Sequence, residues 1–595
     1  MLFATPSVWA QEGGSEETEA EKNRPKIQFN GLGRTILSRA GIEGDILTAD
    51  TNTIDQITDG EFLLDLEVNA RPNKTSEVQT ILRLRNEFGG FFGAGQSVEV
   101  RELWARGIIA NFLKYRVGDM DIALSPYTLF SPDEEGFVNE PALFKPQKQV
   151  IHYEQFYTDQ NTRRLQGGKL DFGLNFGSIL EDMEVSSFIA RIRGTDFFNI
   201  PNQVVTGGEI DFSTVSLKDS TGMKADFGLN LVYTYDDLQS GEAVTGIRNT
   251  VYSVDYDVTI LDNENYSLHL KGESGRSTVA NAERITDADG EEDNMRTFEE
   301  DDTFADVGLS FKLKKHKLEF SASYIDVGPE FFSMGAQSKR IEFGAEDIPI
   351  EKAFYDRIGT ENFFRQISLF DISRDRAIYT FRTAEQLMAF DPRYNNTLPY
   401  GDATPNREGF KIGINYGEEN DKITASFDGA FLSELRGQGT DELKDFTLLK
   451  ATADVNIHQF LGWKNKVKAT FGIQRETTER GGVEVEQIDL SSTLLDLGLE
   501  IELFSKFEIL LGAKLFESEG NEFVPVLENF NDVLDFPTNS IFDDEESLLG
   551  IGFKYEFKKD IYLTLQYQTF SSVLGTDNPN NYDLQQLFVL YNMEF

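Results

Sequence analysis

Hydrophobic residues recur at every second position over long stretches of this chain. Between Leu549 and Phe557 the odd positions hold Leu, Ile, Phe, Tyr and Phe, and the even positions hold Gly, Gly, Lys and Glu. After Lys559 and Asp560 the pattern resumes with Ile561, Leu563, Leu565 and Tyr567. Leu495, Leu497, Leu499, Ile501 and Leu503 alternate with Asp496, Gly498, Glu500 and Glu502. Residues 507–515, 410–416 and 467–473 repeat the arrangement, and so does the C-terminal stretch, with Leu587, Val589, Tyr591, Met593 and Phe595 in one phase. An extended strand turns successive side chains to opposite faces, so each stretch predicts a strand with one apolar and one polar face. Such segments recur from Ile27 to Phe595 without a long helical period between them.

A soluble sandwich would have to cover every one of these apolar faces with a second sheet of equal extent. Hydrocarbon removes that requirement. The polar faces are rich in Gly, Thr, Gln and charges of both signs, as the inside of a water-filled barrel demands. The predicted fold is therefore all-β: one large antiparallel transmembrane β-barrel.

The connections alternate in length. Short ones fall near residues 72–74, 262–264, 314–317, 418–421, 464–466, 504–506 and 558–560, and long ones at 126–160, 279–302, 328–408 and 517–547. Short periplasmic turns alternating with long outer loops mark a membrane barrel, and the count predicts about 22 strands, within roughly 18 to 24. An even count returns both termini to the periplasmic side. A barrel of this width cannot be filled by its own wall side chains. The longest connection, 328–408, is the candidate lid or gate. It is rich in Phe and Tyr and carries helix-compatible turns at 350–356 and 383–390.

The closing run through Tyr591, Met593 and the terminal Phe595 resembles the C-terminal signal of bacterial outer-membrane β-barrels. That resemblance implies a Gram-negative outer membrane, lipid and lipopolysaccharide around the wall, and the barrel-assembly machinery as a partner during insertion. The acidic, aromatic-rich, long-looped style of residues 27–595 is similar to porin-like barrels of the Bacteroidota type. Residues 1–10 read as the remnant of a signal peptide, with Val8-x-Ala10 at the cleavage position, and 11–26 as a disordered acidic N-terminus. TonB-dependent receptors carry a plug domain ahead of the barrel. The stretch before Ile27 is too short for one, which argues against that type.

Composition adds exclusions. Hydrophobic residues make up 39% of the 595, mean hydropathy is −0.36, and no apolar run reaches the ~18 residues of a membrane helix. With no cysteine there is no disulfide, thiolate metal site or lipoprotein anchor. The net charge of −45, from 101 acidic and 56 basic residues, repels nucleic acid.

Against that background a set of cations stands out. Arg83 and Arg85 share the polar phase of one strand, Lys114 and Arg116 that of another, and Arg191 and Arg193 that of a third. Arg101 and Arg106 lie in 97–110, where alternation breaks and a bulge is expected. If the apolar faces meet lipid, these side chains form a basic ladder in the lumen that would attract anionic solutes, similar to the arginine-lined constrictions of porins and of the alginate-export barrels. The competing reading pairs them with Glu87, Glu99, Asp119 and Asp171 as wall bracing. Asp287, Asp289 and Asp293 flank a Gly turn in an oxygen-rich loop and are the candidate calcium ligands, although the full twelve-residue calcium pattern is missing; no other cofactor is expected. The four histidines are scattered and form no metal-ligand spacing. No nucleophile elbow or phosphate loop is present, so no enzyme is expected. The expected function is passive passage of small hydrophilic, including anionic, solutes through a porin-like channel. The alternative is a non-enzymatic accessory subunit of an outer-membrane translocation or assembly complex, docking partner proteins through the long loop.

Overall fold

The computed structural model describes residues 26–44, 56–88, 96–131, 137–155, 161–177, 180–194, 201–214, 223–237, 245–286, 292–337, 340–341, 369, 379–380, 390–418, 421–528, 532–575 and 581–595. The signal-peptide and N-terminal stretches named above, up to residue 25, lie outside them.

The strands follow the chain in order. The first half comprises β1 (Lys26–Gly44), β2 (Gln56–Asn73), β3 (Ser76–Glu87), β4 (Gln96–Ile109), β5 (Leu113–Ile122), β6 (Arg163–Asn175), β7 (Leu180–Arg193), β8 (Asn202–Thr214), β9 (Lys224–Asp237), β10 (Thr245–Asp262), β11 (Tyr266–Thr286), β12 (Glu292–Leu313) and β13 (Leu318–Val327). A small separate ribbon pairs β14 (Arg340–Ile341) with β15 (Tyr379–Thr380). The second half comprises β16 (Arg407–Tyr416), β17 (Ile423–Ser433), β18 (Lys444–Asn456), β19 (Val467–Arg480), β20 (Ile488–Phe504), β21 (Phe507–Glu528), β22 (Asp532–Lys558), β23 (Ile561–Leu574) and β24 (Tyr582–Glu594). All but the ribbon belong to one 22-stranded sheet. Each strand pairs antiparallel with its neighbour in sequence, β13 with β16, and β24 returns to β1 from Leu32↔Glu594 to Gly44↔Tyr582. The sheet is closed, so no edge is left to aggregate.

Parity decides which side faces out. Leu549, Ile551, Phe553, Tyr555 and Phe557 of β22 are exposed on the outer surface, and Leu563, Leu565 and Tyr567 continue the belt on β23. Leu549 is 46% exposed, whereas Leu548, the adjacent residue on the other face, is wholly buried. An apolar outside and a polar inside on a closed sheet is the inverse of a soluble barrel and requires lipid around the wall. Ile551→Lys would place a charge near the middle of that belt and should cost about 2–4 kcal/mol in urea unfolding from lipid vesicles. Equal stability of variant and parent would rule out hydrocarbon on that face.

Most tight turns fall where short connections were expected; the exception is the β18–β19 link, 457–466, which is longer than the expected 464–466 and holds a helical turn at Ile457–Leu461. Lys317, Lys506 and Asp560 close three of the tight turns in the left-handed region, at φ of 50°, 72° and 65°, which lets a link as short as two to four residues reverse the strand. The carboxy-terminal Phe595 exchanges backbone hydrogen bonds with Gly31, at 2.9 and 3.0 Å, and its ring lies where a Cβ on residue 31 would sit.

Two long connections are not loops. Residues 279–302 and 517–547 were expected to be irregular; instead β11–β12 and β21–β22 continue as paired hairpins, in register to Thr286↔Glu292 and Glu528↔Asp532. Beyond the bilayer a strand needs no apolar face, so the loss of alternation there does not end it.

By the convention that tight turns are periplasmic, the β5–β6 connection (123–162, hereafter L3) and the β13–β16 connection (328–406, hereafter L7) leave from the outer end. The described parts of both fold inward. Leu143 and Phe144 of L3, with Leu369 and Tyr394 of L7, share one buried cluster with Ile42 of β1, Phe516 of β21, Phe570 of β23 and Leu584 of β24. The helix-compatible turns expected at 350–356 and 383–390 lie outside the described residues, save Phe390, which is not helical. No helix among the described residues is long and apolar enough to cross a membrane.

Candidate functional site

The cations singled out in the sequence do not form a free-standing ladder. In the wall of β2–β6 they are interleaved with carboxylates. Arg83 donates through Nε and Nη2 to Asp65, at 2.9 and 2.7 Å, and Arg101 Nη1 donates to the same carboxylate at 2.7 Å. Tyr153 of L3 adds its hydroxyl at 2.6 Å, and the Arg101 guanidinium stacks 3.7 Å above the Tyr153 ring. Arg85 faces Glu61 at 3.7 Å, Arg106 pairs with Glu77 at 2.6 Å, and Arg116 with Glu102 at 3.6 Å. The bracing reading therefore describes this sector, with partners other than those expected. Of the expected acids, Asp119 accepts instead from the Leu103 amide and the Gln166 side chain.

The bulge expected in 97–110 is present. Ile81 pairs with Glu102 and Leu82 with Val100, so Arg101 is the extra residue. Two residues adjacent in sequence, Arg101 and Glu102, are thereby both turned to the buried side. A second bulge corrects the expectation for Arg191. Ala190 pairs with Val205, both buried in a lumen cluster, so Arg191, opposite Val204, is on the outer face. The register shift between Arg191 and Arg193 then returns Arg193 to the inside, where it reaches Asp236 at 2.9 Å. Lys114 is exposed near the periplasmic end of β5, opposite Asp171.

L3 traverses the lumen. Near its start, Tyr127 stacks on Phe304 of β12 with ring centroids 4.0 Å apart. Its tip, 138–144, lies on β19–β23, and the helix that follows, α1 (Lys145–Gln155), carries Tyr153 to the arginines of β3 and β4. L7 fastens beside the tip. Arg393, fully buried, donates to Asp391 at 2.7 Å and to Asp544 of β22 at 2.9 Å; burial opposes its charge, but Asp391 and Glu546 outweigh this and hold its pKa well above the ordinary arginine value. Glu546 accepts the Tyr394 hydroxyl at 2.7 Å, and Asn396 reaches Glu476 and Glu522. Asp544 and Glu546 belong to the acidic run 543–546. Parity turns them inward, where a cation from a loop more than a hundred residues away meets them.

One sector of the wall is open among the described residues. In the periplasmic half of β6–β8 the inward positions are half-buried or exposed, whereas Asn230 of β9 and Ser267 and Glu273 of β11 are buried; carboxylates dominate the sector. Glu184 stands opposite Asp211, Asp211 opposite Gly228, and Gly228 opposite Asp255, so these acids share one level across adjacent strands, with Glu209 one inward step above. Lys169, Lys224 and Lys271 pair with Asp171, Asp226 and Asp257. Among the described residues no Lys or Arg forms an ion pair with Glu184, Glu209, Asp211 or Asp255, and Asp255 accepts a neutral amide from Asn230 at 2.7 Å.

Asp287 and Asp289 lie outside the described residues, and Asp293 is placed only as a backbone position at the start of β12. Among the described residues no group of three or more His, Cys, Asp or Glu side chains is arranged to hold a metal ion.

No protein-family model matches the sequence, and no curated protein matches it. Solved structures that it resembles include a copper transporter, OprC (10% identity, 96% of this chain and 81% of that one, TM-score 0.45). The FrpB iron transporter from Neisseria meningitidis is similar at 8% identity (95% and 82% covered, TM-score 0.43), and Pseudomonas aeruginosa OpdQ at 9% (96% and 98%, TM-score 0.34). Closure, the lipid-facing exterior and the polar interior together make the chain an integral outer-membrane β-barrel.

Proposed function

We propose that this barrel is a non-enzymatic, porin-like channel for small hydrophilic solutes, with L3 and L7 as its constriction. The observation that carries the reading is the uncovered sector. A wide, closed wall is polar inside, and among the described residues the inward positions in the periplasmic half of β6–β8 are half-buried or exposed, which supports a water-lined route on this side of the lumen. The charge preference follows from what is left unpaired there. The arginines expected to draw anions are compensated by Asp65, Glu61, Glu77 and Glu102, while among the described residues Glu184, Glu209, Asp211 and Asp255 form no ion pair with a Lys or Arg. A low-dielectric wall focuses such a field, so the passage favours cationic and neutral solutes over anions.

Purified protein in planar bilayers should give discrete conductance steps, with a reversal potential on the cation side in a salt gradient. Absence of conductance from both the parent and a variant shortened within 328–406 would remove the channel reading. Stoichiometric co-purification with another outer-membrane protein would then favour the accessory-subunit reading.

A further inference from the structure

The wall beneath the L3 tip is paved with glycine. Gly472 of β19, Gly498 of β20, Gly512 of β21, and Gly550 and Gly552 of β22 all face inward at this place. The register sets Gly498 opposite Gly512 and Gly512 opposite Gly550, a row across three strands. None of the five has a left-handed φ, so backbone conformation gives no reason for glycine. Space does. A Cβ at 472 would lie 2.8 Å from the Asn139 amide nitrogen, one at 498 would lie 3.1 Å from the Pro141 Cβ, and one at 512 would lie 2.8 Å from the Phe144 ring. At 550 and 552 it would lie 2.6 Å from the two methyls of Leu143. Glycine inside a strand weakens the sheet unless another group must approach closely, and here that group is one segment of L3.

Polar groups fix where along the trough the segment sits. Asp496 Oδ2 accepts the backbone N–H groups of Val138 and Asn139 at 3.0 and 3.1 Å. Its other oxygen meets Lys514 Nζ at 3.2 Å, and Lys514 reaches Glu140 of the loop at 3.1 Å. Gln566 donates to the Leu143 carbonyl at 2.7 Å. Asp496, Lys514 and Leu143 are completely buried, and burial pushes the Glu140 carboxyl above its ordinary pKa although Lys514 opposes this. A buried ion pair adds little net stability compared with apolar packing, and its best-attested use is to specify one arrangement.

We propose that the glycine trough, with Asp496, Lys514 and Glu140, is a dedicated seat for the L3 tip, and that occupancy of this seat sets the bore of the passage. The bore half of the statement rests on the channel reading above; the seat half does not. The chain lacks cysteine, so a reporter thiol can be placed cleanly at Gln147, a buried position on α1 whose side-chain nitrogen has no hydrogen-bond partner. Gln147→Cys should resist a bulky maleimide in the otherwise unchanged protein. It should react about tenfold faster or more, as expected for a locally opened segment, when combined with Lys514→Met, with Gly550→Leu, or with Leu143→Ser. The last change leaves the wall sequence intact, which guards against a barrel that fails to form. Single-channel conductance should rise in the same variants. An Asn139→Cys/Gly472→Cys pair, whose Cβ atoms would lie 3.0 Å apart and so approach disulfide spacing, should restore protection and the smaller conductance on oxidation. Continued protection of the reporter in all three variants overturns the seat. Labelling without any change in conductance upholds the seat and overturns its control of the bore.

Discussion

Replacing Asp65 with alanine should destabilise the folded barrel by about 3–5 kcal/mol, the usual consequence of removing one partner from a buried charge cluster. Asp65 is the common acceptor for Arg83, Arg101 and the Tyr153 hydroxyl. Without it two guanidinium groups are left close together in a site with little water, and one of the links that tie α1 to the wall, the Tyr153 hydroxyl on Asp65, is lost. Asp65→Asn keeps the shape and removes the charge, so it should fall between the parent and Asp65→Ala. Arg71→Ala is the contrast. Arg71 is 47% exposed beside Glu77, and its loss should cost less than about 1 kcal/mol. Urea titrations from lipid vesicles measure all three. Equal midpoints for Asp65→Ala and Arg71→Ala would mean that the network is solvated and dispensable.

Neutralising the uncovered acids should move ion selectivity further than neutralising any arginine of the former ladder. The combination Glu184→Gln, Glu209→Gln, Asp211→Asn removes three carboxylates from the route. The cation-to-anion permeability ratio should fall roughly threefold, the scale on which local wall charge alters ion occupancy. Arg83→Gln should do much less. Arg83 is held against Asp65, and its removal uncovers an acid that Arg101 still partly compensates. Reversal potentials in a salt gradient decide the matter. A parent channel that prefers anions, or a triple variant with unchanged selectivity, would overturn the proposed preference.

Much of the wall was legible in the sequence because alternation is a local property. The outward belt of β20–β24 and the turns at 504–506 and 558–560 follow from parity and polar punctuation alone. The bulge at Arg101 was legible for the same reason, since a break in phase within a strand has few other causes. Arg191 shows the limit. A single extra residue between it and Arg193 reverses the face of one and not the other, and nothing in the composition of 188–194 marks the spot. Pairing partners were less accessible still. Asp65 is eighteen residues from Arg83 and thirty-six from Arg101, and only the strand register brings them to one level. The direction taken by L3 had no local signature, because its anchors, Asp496 and Lys514, look like ordinary polar-phase residues of β20 and β21. The five glycines beneath it likewise read as small residues on a wet face until the loop is placed over them.

The seam between β24 and β1 carries a consequence for how the molecule is put together. Ile42 on one side of it and Tyr582 and Leu584 on the other are buried in the same cluster as Leu143 and Phe144 of L3. L3 is made early, yet its contacts lie on strands made last. The traversing segment therefore braces the join from within: side chains of L3 pack on the first strand and the last at once, so a change that loosens the loop also loosens the place where the cylinder meets itself.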